Sequence, residues 1–373
     1  MKIAMIGQKR IPSREGGVEI HVEELSLRLV EMGHEVTVYN RGKKGFPHNR
    51  EYHGIRIVTV PTINRKSLDA PVYSFFAAVH ALFGRYDVIH FHAEGPCSML
   101  LLPHLFGIRT VATIHGLDWQ RSKWGNFASN FLLLGEKCAV KYADELIVLS
   151  RNVRQYFKDT YGRETLLIPN GVNRPEIRKA NLITQKYGLR QGCYLLFLAR
   201  IVPEKGLHYL LRAFAEIDTE KKLVVAGMSS HSDGYTDFIR KMAAKDKRVV
   251  MAGFVRGPEL DELFSNAFLY LLPSDIEGMP ISLLEAMSCG CPCLVSDIPE
   301  NTEVLGPFGY TFRKGDPEDL RQKICSILKE GPSADKAVQA RKYVLKHYDW
   351  DLVARETARS AYRNVKAEGK DTG

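Results

Sequence analysis

LYLLPSDIEGMPISLLEAMSCGCPCLVSD, residues 269–297, holds one complete folding unit. LYLLPS reads as a buried strand and DIEGM as its polar exit loop. Pro280 suits the first turn of a helix that runs through ISLLEAMS and stops at Gly290. PCLVSD then starts a second strand. Two strands joined by a helix this short in sequence make a parallel pair with a crossover. The unit also carries two glutamates. Glu277 hangs in the loop over the strand ends, while Glu285 lies about one and a half turns into an apolar helix. A carboxylate between Leu284 and Ala286 is costly unless it accepts hydrogen bonds, and ribose hydroxyls supply such donors. A cap or salt bridge accounts for one glutamate more easily than for both.

The same alternation runs outward in both directions. Before Asn170 the short β-rich runs are KIAMIG, EVTVYNR, IRIVTV, DVIHFH, TVATIHG, ELIVLS and TLLIPNG, separated by helical patterns. The series restarts with YLLFLAR, KLVVAG and VVMAGF. This predicts an α/β protein of two Rossmann-like domains with parallel sheets, 1–170 and 171–349, joined near IPNGVNRPE. The C-terminal stretch, 350–373, with its amphipathic part at 350–366, is expected to pack back on the first domain. A chain of 373 residues has room for two such cores.

Composition is that of a globular protein, 45% hydrophobic and 25% charged, with a net charge of +9. Residues 1–170 hold 22 Lys and Arg against 16 Asp and Glu, so the excess leans towards the first half. Anionic partners such as nucleotides, pyrophosphate lipids or headgroups fit this balance. No apolar run is long enough to span a bilayer, and MKIAMIG reads as a first strand rather than a signal peptide. Seven cysteines, mostly in apolar stretches, suit free thiols in a reducing cytoplasm.

In open parallel sheets ligands bind outside the carboxyl ends of the strands. Three groups of residues lie there. Gly16 and Gly17 end the loop QKRIPSREGG before a helix, where free amides favour an anion; a plain glycine turn explains them equally well. The spacing is not G-x-G-x-x-G and no acidic residue closes the second strand, so a dinucleotide site is disfavoured. Arg200 follows YLLFLA and Lys205 opens the next helix. Together they can hold a diphosphate and stabilise it as a leaving group, although a solvated loop pair is the commoner meaning. His115, in TIHG at 113–116, follows a strand and stands near Asp118.

Taken together, Glu277 with Glu285, Arg200 with Lys205, the Gly16-Gly17 loop and TIHG resemble the retaining glycosyltransferases of family 4. The resemblance runs over essentially the whole chain. It implies the GT-B fold, with two Rossmann-like domains facing across a cleft. It further implies that Glu285 binds the ribose of a sugar nucleotide. Glu277 and the backbone after it, at Gly278, Met279 and Ile281, would face the donor sugar, and Arg200 and Lys205 the diphosphate. His115 would lie by the transferred sugar, and His92 and Glu94, with His90, would face the acceptor. The amino-terminal segment through YNR is similar to a bacterial subgroup that builds surface polysaccharides, including rhamnosyl- and glucosyltransferases. Ala199 departs from the family, which often has Gly before the arginine, and Pro280 removes an amide that could have met the sugar.

The implied reaction moves a hexosyl or deoxyhexosyl group from a nucleotide diphosphate sugar to a hydroxyl of a lipid-linked glycan, with no cofactor and no metal. A sugar-nucleotide epimerase of the same fold and a sugar-nucleotide-binding assembly protein without turnover are the rivals. The thiols Cys289, Cys291 and Cys293 alternate at a turn and lack the paired spacing of zinc sites. Asp349-Trp-Asp351 imitates a metal-binding D-x-D, but Asp349 reads better as a helix cap. Basic runs such as KDKR at 245–248 lack interleaved aromatics and read as solvated helix ends, so no nucleic-acid partner is expected. WQRSKWGNFASNFLLLGEKCAV, from Trp119, carries Arg121, Lys123, Trp124, Phe127, Phe131 and Leu134. That pattern suits either a core helix or the inner face of a membrane, where a cytoplasmic enzyme would meet its lipid-linked acceptor.

Overall fold

Residues 3–6 and Val88–His92 are buried without exception. Runs buried on both faces belong to a parallel sheet covered by helices on either side. The computed structural model, which describes residues 1–42, 49–63, 68–120, 126–229 and 233–362, divides into two units. Met1–Gly171 and the segment from Trp350 form one, and Val172–Asp349 the other.

The first unit contains β1 (Lys2–Ile6), β2 (Glu35–Gly42), β3 (Glu51–Tyr52), β4 (Ile55–Pro61), β5 (Val88–His92), β6 (Arg109–Ile114), β7 (Glu145–Val148) and β8 (Leu166–Leu167). Their order is β3-β4-β2-β1-β5-β6-β7-β8, and only β3 runs antiparallel to its neighbour. Without the two-residue edge strands this is the doubly wound order, which reverses direction between β1 and β5. The segment from Trp350 completes the unit. Its helix, Trp350–Glu356, lies along Gly17–Glu31, where Arg28 pairs with Asp351 at 3.2 Å. A Cβ on Gly171 would stand 2.6 Å from the Trp350 ring, so the indole is seated directly on the backbone.

The second unit contains β9 (Tyr194–Leu198), β10 (Lys222–Ala226), β11 (Val249–Gly253), β12 (Leu269–Leu272), β13 (Cys293–Ser296) and β14 (Tyr310–Phe312). The order β11-β10-β9-β12-β13-β14 is parallel throughout and reverses between β9 and β12. Each sheet therefore has one switch point, the place where such sheets bind ligands.

Two local readings change. Pro280 precedes the helix Ile281–Ser288 as its cap instead of occupying its first turn. In the basic run 245–248, Arg248 is a half-buried structural residue: its guanidinium donates to the carbonyls of Phe214, Ile217 and Thr219 and stacks on Phe214. Asp349 stands directly before the helix Trp350–Glu356, the position of a cap, and also pairs with Val172 as an isolated bridge. All seven cysteines are free thiols. Among the described residues no helix is long and apolar enough to cross a membrane.

Candidate active site

In the second unit, a glycine brings the two loops of the switch point together. Gly206 has φ +67°, and a Cβ there would lie 1.9 Å from the Pro273 carbonyl oxygen. The turn Pro203–Lys205 thus rests directly on the exit from β12. The amide of Asp275 donates to the Glu204 carbonyl at 2.9 Å, a second tie between the same loops. Lys205 and Glu277 meet as an ion pair, their side chains only 13% and 6% exposed. Ser274 donates to the same Glu277 oxygen at 2.7 Å. Behind it, Ser296 donates to the Ser274 carbonyl at 2.5 Å, and Asn301 donates to the Ser296 hydroxyl at 2.9 Å. The loop carboxylate is therefore oriented by a buried chain of hydrogen bonds, and the lysine read as a diphosphate ligand already faces it.

Arg200 follows β9 and is half-buried. Glu285 is half-buried on the helix Ile281–Ser288, as its fifth residue. Glu277 and Glu285 both lie near the buried Tyr270, whose phenol is pushed up first by burial and further by these two carboxylates. Tyr270 donates to the Ser282 hydroxyl at 2.8 Å, which fixes the first turn of that helix. The carbonyl of Pro280 accepts from Leu283 and Leu284, while the amides of Ile281 and Ser282 have no acceptor within the helix. Gly278 and Met279 are buried just before it.

The switch point of the first unit is built differently. Gly7 ends β1 at φ +144°, where a Cβ would stand 2.1 Å from the His92 carbonyl oxygen. The loop after it is held by carboxylates of the helix Gly17–Glu31. Glu19 accepts from the Lys9 amide at 3.1 Å and Glu23 from the Ser13 amide at 3.0 Å. Asn40 exchanges two hydrogen bonds with Ile11. A Cβ on Gly16 would lie 2.5 Å from a Glu19 carboxylate oxygen. The helix end at Gly16 and Gly17, expected to favour an anion, thus already carries a negative group.

His92, at the end of β5, and His115, just after β6, lie with Nδ1 and Nε2 3.2 Å apart. His21, from the helix Gly17–Glu31, sets its ring edge-on to His115 with centroids 4.8 Å apart. Its Nδ1 meets the Asn170 side-chain oxygen at 2.8 Å, and its ring also packs against Trp350. Burial lowers the pKa of His21 to about 4 and holds His92 well below the usual range, with neighbouring imidazoles adding to the effect on His92. His21 has no place in the sequence reading, though a polar residue on an apolar helix face beside Val22 and Leu25 was the available signal. His90 is a core residue, hydrogen-bonded to Tyr362 and Thr113 at 2.7 Å each.

Glu94 and His92, expected to face an acceptor, are both fully buried. Glu94 lies under the helix Asn126–Tyr142, where a Cβ on Gly135 would stand 1.8 Å from the Glu94 carbonyl oxygen. Burial, then Asp118 and Glu136, raise its carboxyl to about 10, so it is a neutral acid. Glu136 accepts instead from Trp119, Tyr156 and Tyr161. Phe131 is half-buried and Leu134 exposed, while Arg121, Lys123 and Trp124 lie outside the described residues, as does the Phe127 side chain.

Residues 15–174 match the sequence profile described as Glycosyltransferase Family 4, and residues 179–344 that of Glycosyl transferases group 1. An uncharacterized glycosyltransferase of Methanocaldococcus jannaschii is 28% identical, over 96% of this chain and 97% of its own. The GDP-mannose-dependent alpha-(1-6)-phosphatidylinositol monomannoside mannosyltransferase of Mycolicibacterium smegmatis is 26% identical, over 91% and 93%. Among solved structures, sucrose-phosphate synthase from Thermosynechococcus elongatus superposes with a TM-score of 0.84 at 22% identity, covering 98% of this chain and 99% of that one. The fold is that of the GT-B glycosyltransferases.

Proposed function

Because this chain is a glycosyltransferase of the family 4 type, we propose that it moves a hexosyl or deoxyhexosyl group from a nucleoside diphosphate sugar to a hydroxyl of a lipid-linked glycan, with retention at the anomeric carbon. The observation that carries this reading is the Lys205–Glu277 pair, fixed at the switch point of the second sheet by Gly206 and Ser274. An ammonium has three donors, so Lys205 can hold a phosphate oxygen while still touching Glu277. Glu285 then takes the ribose hydroxyls, and Glu277 a hydroxyl of the donor sugar. The bond from the anomeric carbon to the diphosphate oxygen breaks, and Arg200 and Lys205 balance the charge left on the diphosphate. The acceptor oxygen bonds to the same face of the sugar, and its proton passes to the departing phosphate oxygen.

In the first unit, His115 is the imidazole that bonds a sugar hydroxyl, and His92 sets its tautomer. Two cations at the diphosphate stand in for a divalent ion, so the reaction needs no metal. The mannosyltransferase relative, whose name gives a nucleotide-sugar donor and a phosphatidylinositol-linked acceptor, supports the lipid-linked acceptor. Surface-polysaccharide synthesis at the inner face of a membrane is the setting that suits this acceptor.

A thermal-shift screen of sugar nucleotides, followed by transfer to lipid-linked acceptors with the strongest donor, tests the reading. NMR of the product should show the donor's anomeric configuration, and EDTA should not lower the rate. Donor turnover to an epimer without acceptor, or complete loss of activity on chelation that magnesium restores, would overturn it.

A further inference from the structure

Among the described residues, one group of three metal-ligating side chains converges: His21, His92 and His115 each place a ring nitrogen within 4.8 Å of the others. We propose that these three imidazoles bind a divalent ion of borderline softness, with Zn²⁺ as the fitting case. The spacing of the rings carries the proposal. A zinc–nitrogen bond of about 2.1 Å puts an imidazole centre roughly 3.2 Å from the ion, so three rings in tetrahedral array lie about 5 Å apart. Here the centroids are 4.8 Å for His21–His115, 5.4 Å for His21–His92 and 5.5 Å for His92–His115. Neighbouring nitrogens of such an array are about 3.4 Å apart. Nδ1 of His92 and Nε2 of His115 stand at 3.2 Å.

The outer contacts suit ligation as well. An amide oxygen only accepts, so Nδ1 of His21 carries its proton towards Asn170 and Nε2 keeps the lone pair. The contact of His92 Nε2 with the Met5 sulfur, at 3.5 Å, places a proton there and leaves its Nδ1 as the acceptor towards His115. Second contacts of this kind fix the tautomers of metal-binding imidazoles. Moving the bridging proton of His115 from Nε2 to Nδ1 frees the third lone pair without changing the charge of the ring. His115 keeps 9% of its surface exposed, against 2% for His21 and none for His92, so an ion and a solvent ligand enter from its side. The three ligands come from three separate elements, the helix Gly17–Glu31 and the ends of β5 and β6.

Such an ion is not part of the transfer chemistry. With Nε2 on the ion, His115 must carry its proton on Nδ1, the nitrogen left for a sugar hydroxyl when His92 holds Nε2. The ion therefore reverses that hydrogen bond and inhibits, and this consequence alone rests on the proposed function. The test uses the full chain freed of metal with a chelator and titrated with Co²⁺. One equivalent should bind saturably with the visible absorption of a four-coordinate site, and Zn²⁺ should displace it. His21→Gln and His115→Gln should each weaken binding at least tenfold. His115→Gln, at the exposed edge of the cluster, serves if His21→Gln does not fold. Absence of saturable uptake by the wild-type chain, or folded variants that bind as it does, would sink the site. Stoichiometric, histidine-dependent binding with an undiminished transfer rate keeps the site and removes His115 from the sugar.

Discussion

At the end of β5 the first unit buries imidazoles kept neutral by their surroundings, whereas at the end of β12 the second unit buries a lysine against a glutamate. The strand order around both places is the same, and in both a glycine lets one loop press on the carbonyl of another: Gly7 on His92, Gly206 on Pro273. Topology thus determines where a ligand can sit, and the residues at that place determine what kind. Buried neutral rings suit hydroxyls or a metal ion. An ion pair with a donor to spare suits a charged leaving group. The two units teach that one fold, used twice, specifies a position and not a chemistry.

The largest effect that would sharpen this contrast is expected at Lys205. Lys205→Ala should lower kcat about 10²–10³-fold, as losing a donor to a developing negative charge does. It should also destabilise the fold, because Glu277 is left buried without its cation. The double variant Lys205→Met with Glu277→Gln should regain stability in thermal melts and stay inactive. A double variant that regained both would make the pair purely structural and break the comparison.

Next in size, Glu285→Ala should weaken nucleotide binding by about 1–3 kcal/mol, measured by calorimetry on folded protein. An unchanged dissociation constant would remove the ribose assignment and leave the second unit without a nucleotide contact on that helix.

The first unit should be the one that responds to acid. His21, His90 and His92 titrate below their ordinary value of 6.5 in the folded chain, so the unfolded chain binds protons first. The stability they contribute is complete above pH 6.5 and is lost as pH falls towards their folded values, at up to about 1.4 kcal/mol per pH unit for each. Glu94 acts in the opposite sense. Its raised pKa stabilises the fold below 4.5 and costs stability as pH rises towards about 10. Three protons against one leave a net loss on acidification, so melting temperature should fall between pH 6.5 and 5. In His90→Leu the slope should be shallower by one proton. A melting temperature flat over this range would mean that these imidazoles are solvated, erasing the difference between the two switch points.

The smallest expected effect concerns the surface. Phe83, Leu105 and Phe106 are 82%, 70% and 69% exposed in the first unit. If the lipid-linked acceptor is met at a membrane, the chain should float with anionic vesicles at low salt, and Phe83→Ser with Phe106→Ser should reduce the floated fraction. Equal flotation of wild type and variant would assign these side chains no membrane role.

Much of the fold is legible in the sequence because parallel strands buried on both faces are continuous apolar runs, as in KIAMIG and YLLFLAR. The strands that escape such reading are β3 and β14, two and three residues long and too short to show a period. The candidate site is legible residue by residue but not as contacts. Lys205 and Glu277 each stand out in their own loops, yet their pairing spans 72 positions and depends on a glycine with nothing local to announce it. Burial misled in the other direction. In DVIHFH and AEGP, His92 and Glu94 are expected to face an acceptor, but the helix Asn126–Tyr142 closes over Glu94, and that packing is set by Gly135 far along the chain. His21 is hidden for a related reason: its partner Asn170 lies 149 positions away.

Unit one is assembled from two stretches of chain, with Val172–Asp349 inserted between them. Trp350 and Tyr362, which cover His21 and His90, are therefore made after the whole second unit. At a synthesis rate of roughly 5–20 residues per second, the first stretch waits many seconds for the piece that closes it. During that interval the histidines of the first stretch remain uncovered. The earlier-made half of this protein thus cannot mature until the later-made one has been synthesised, and a released chain truncated at Asp349 should carry a protease-resistant second unit beside a cleavable first.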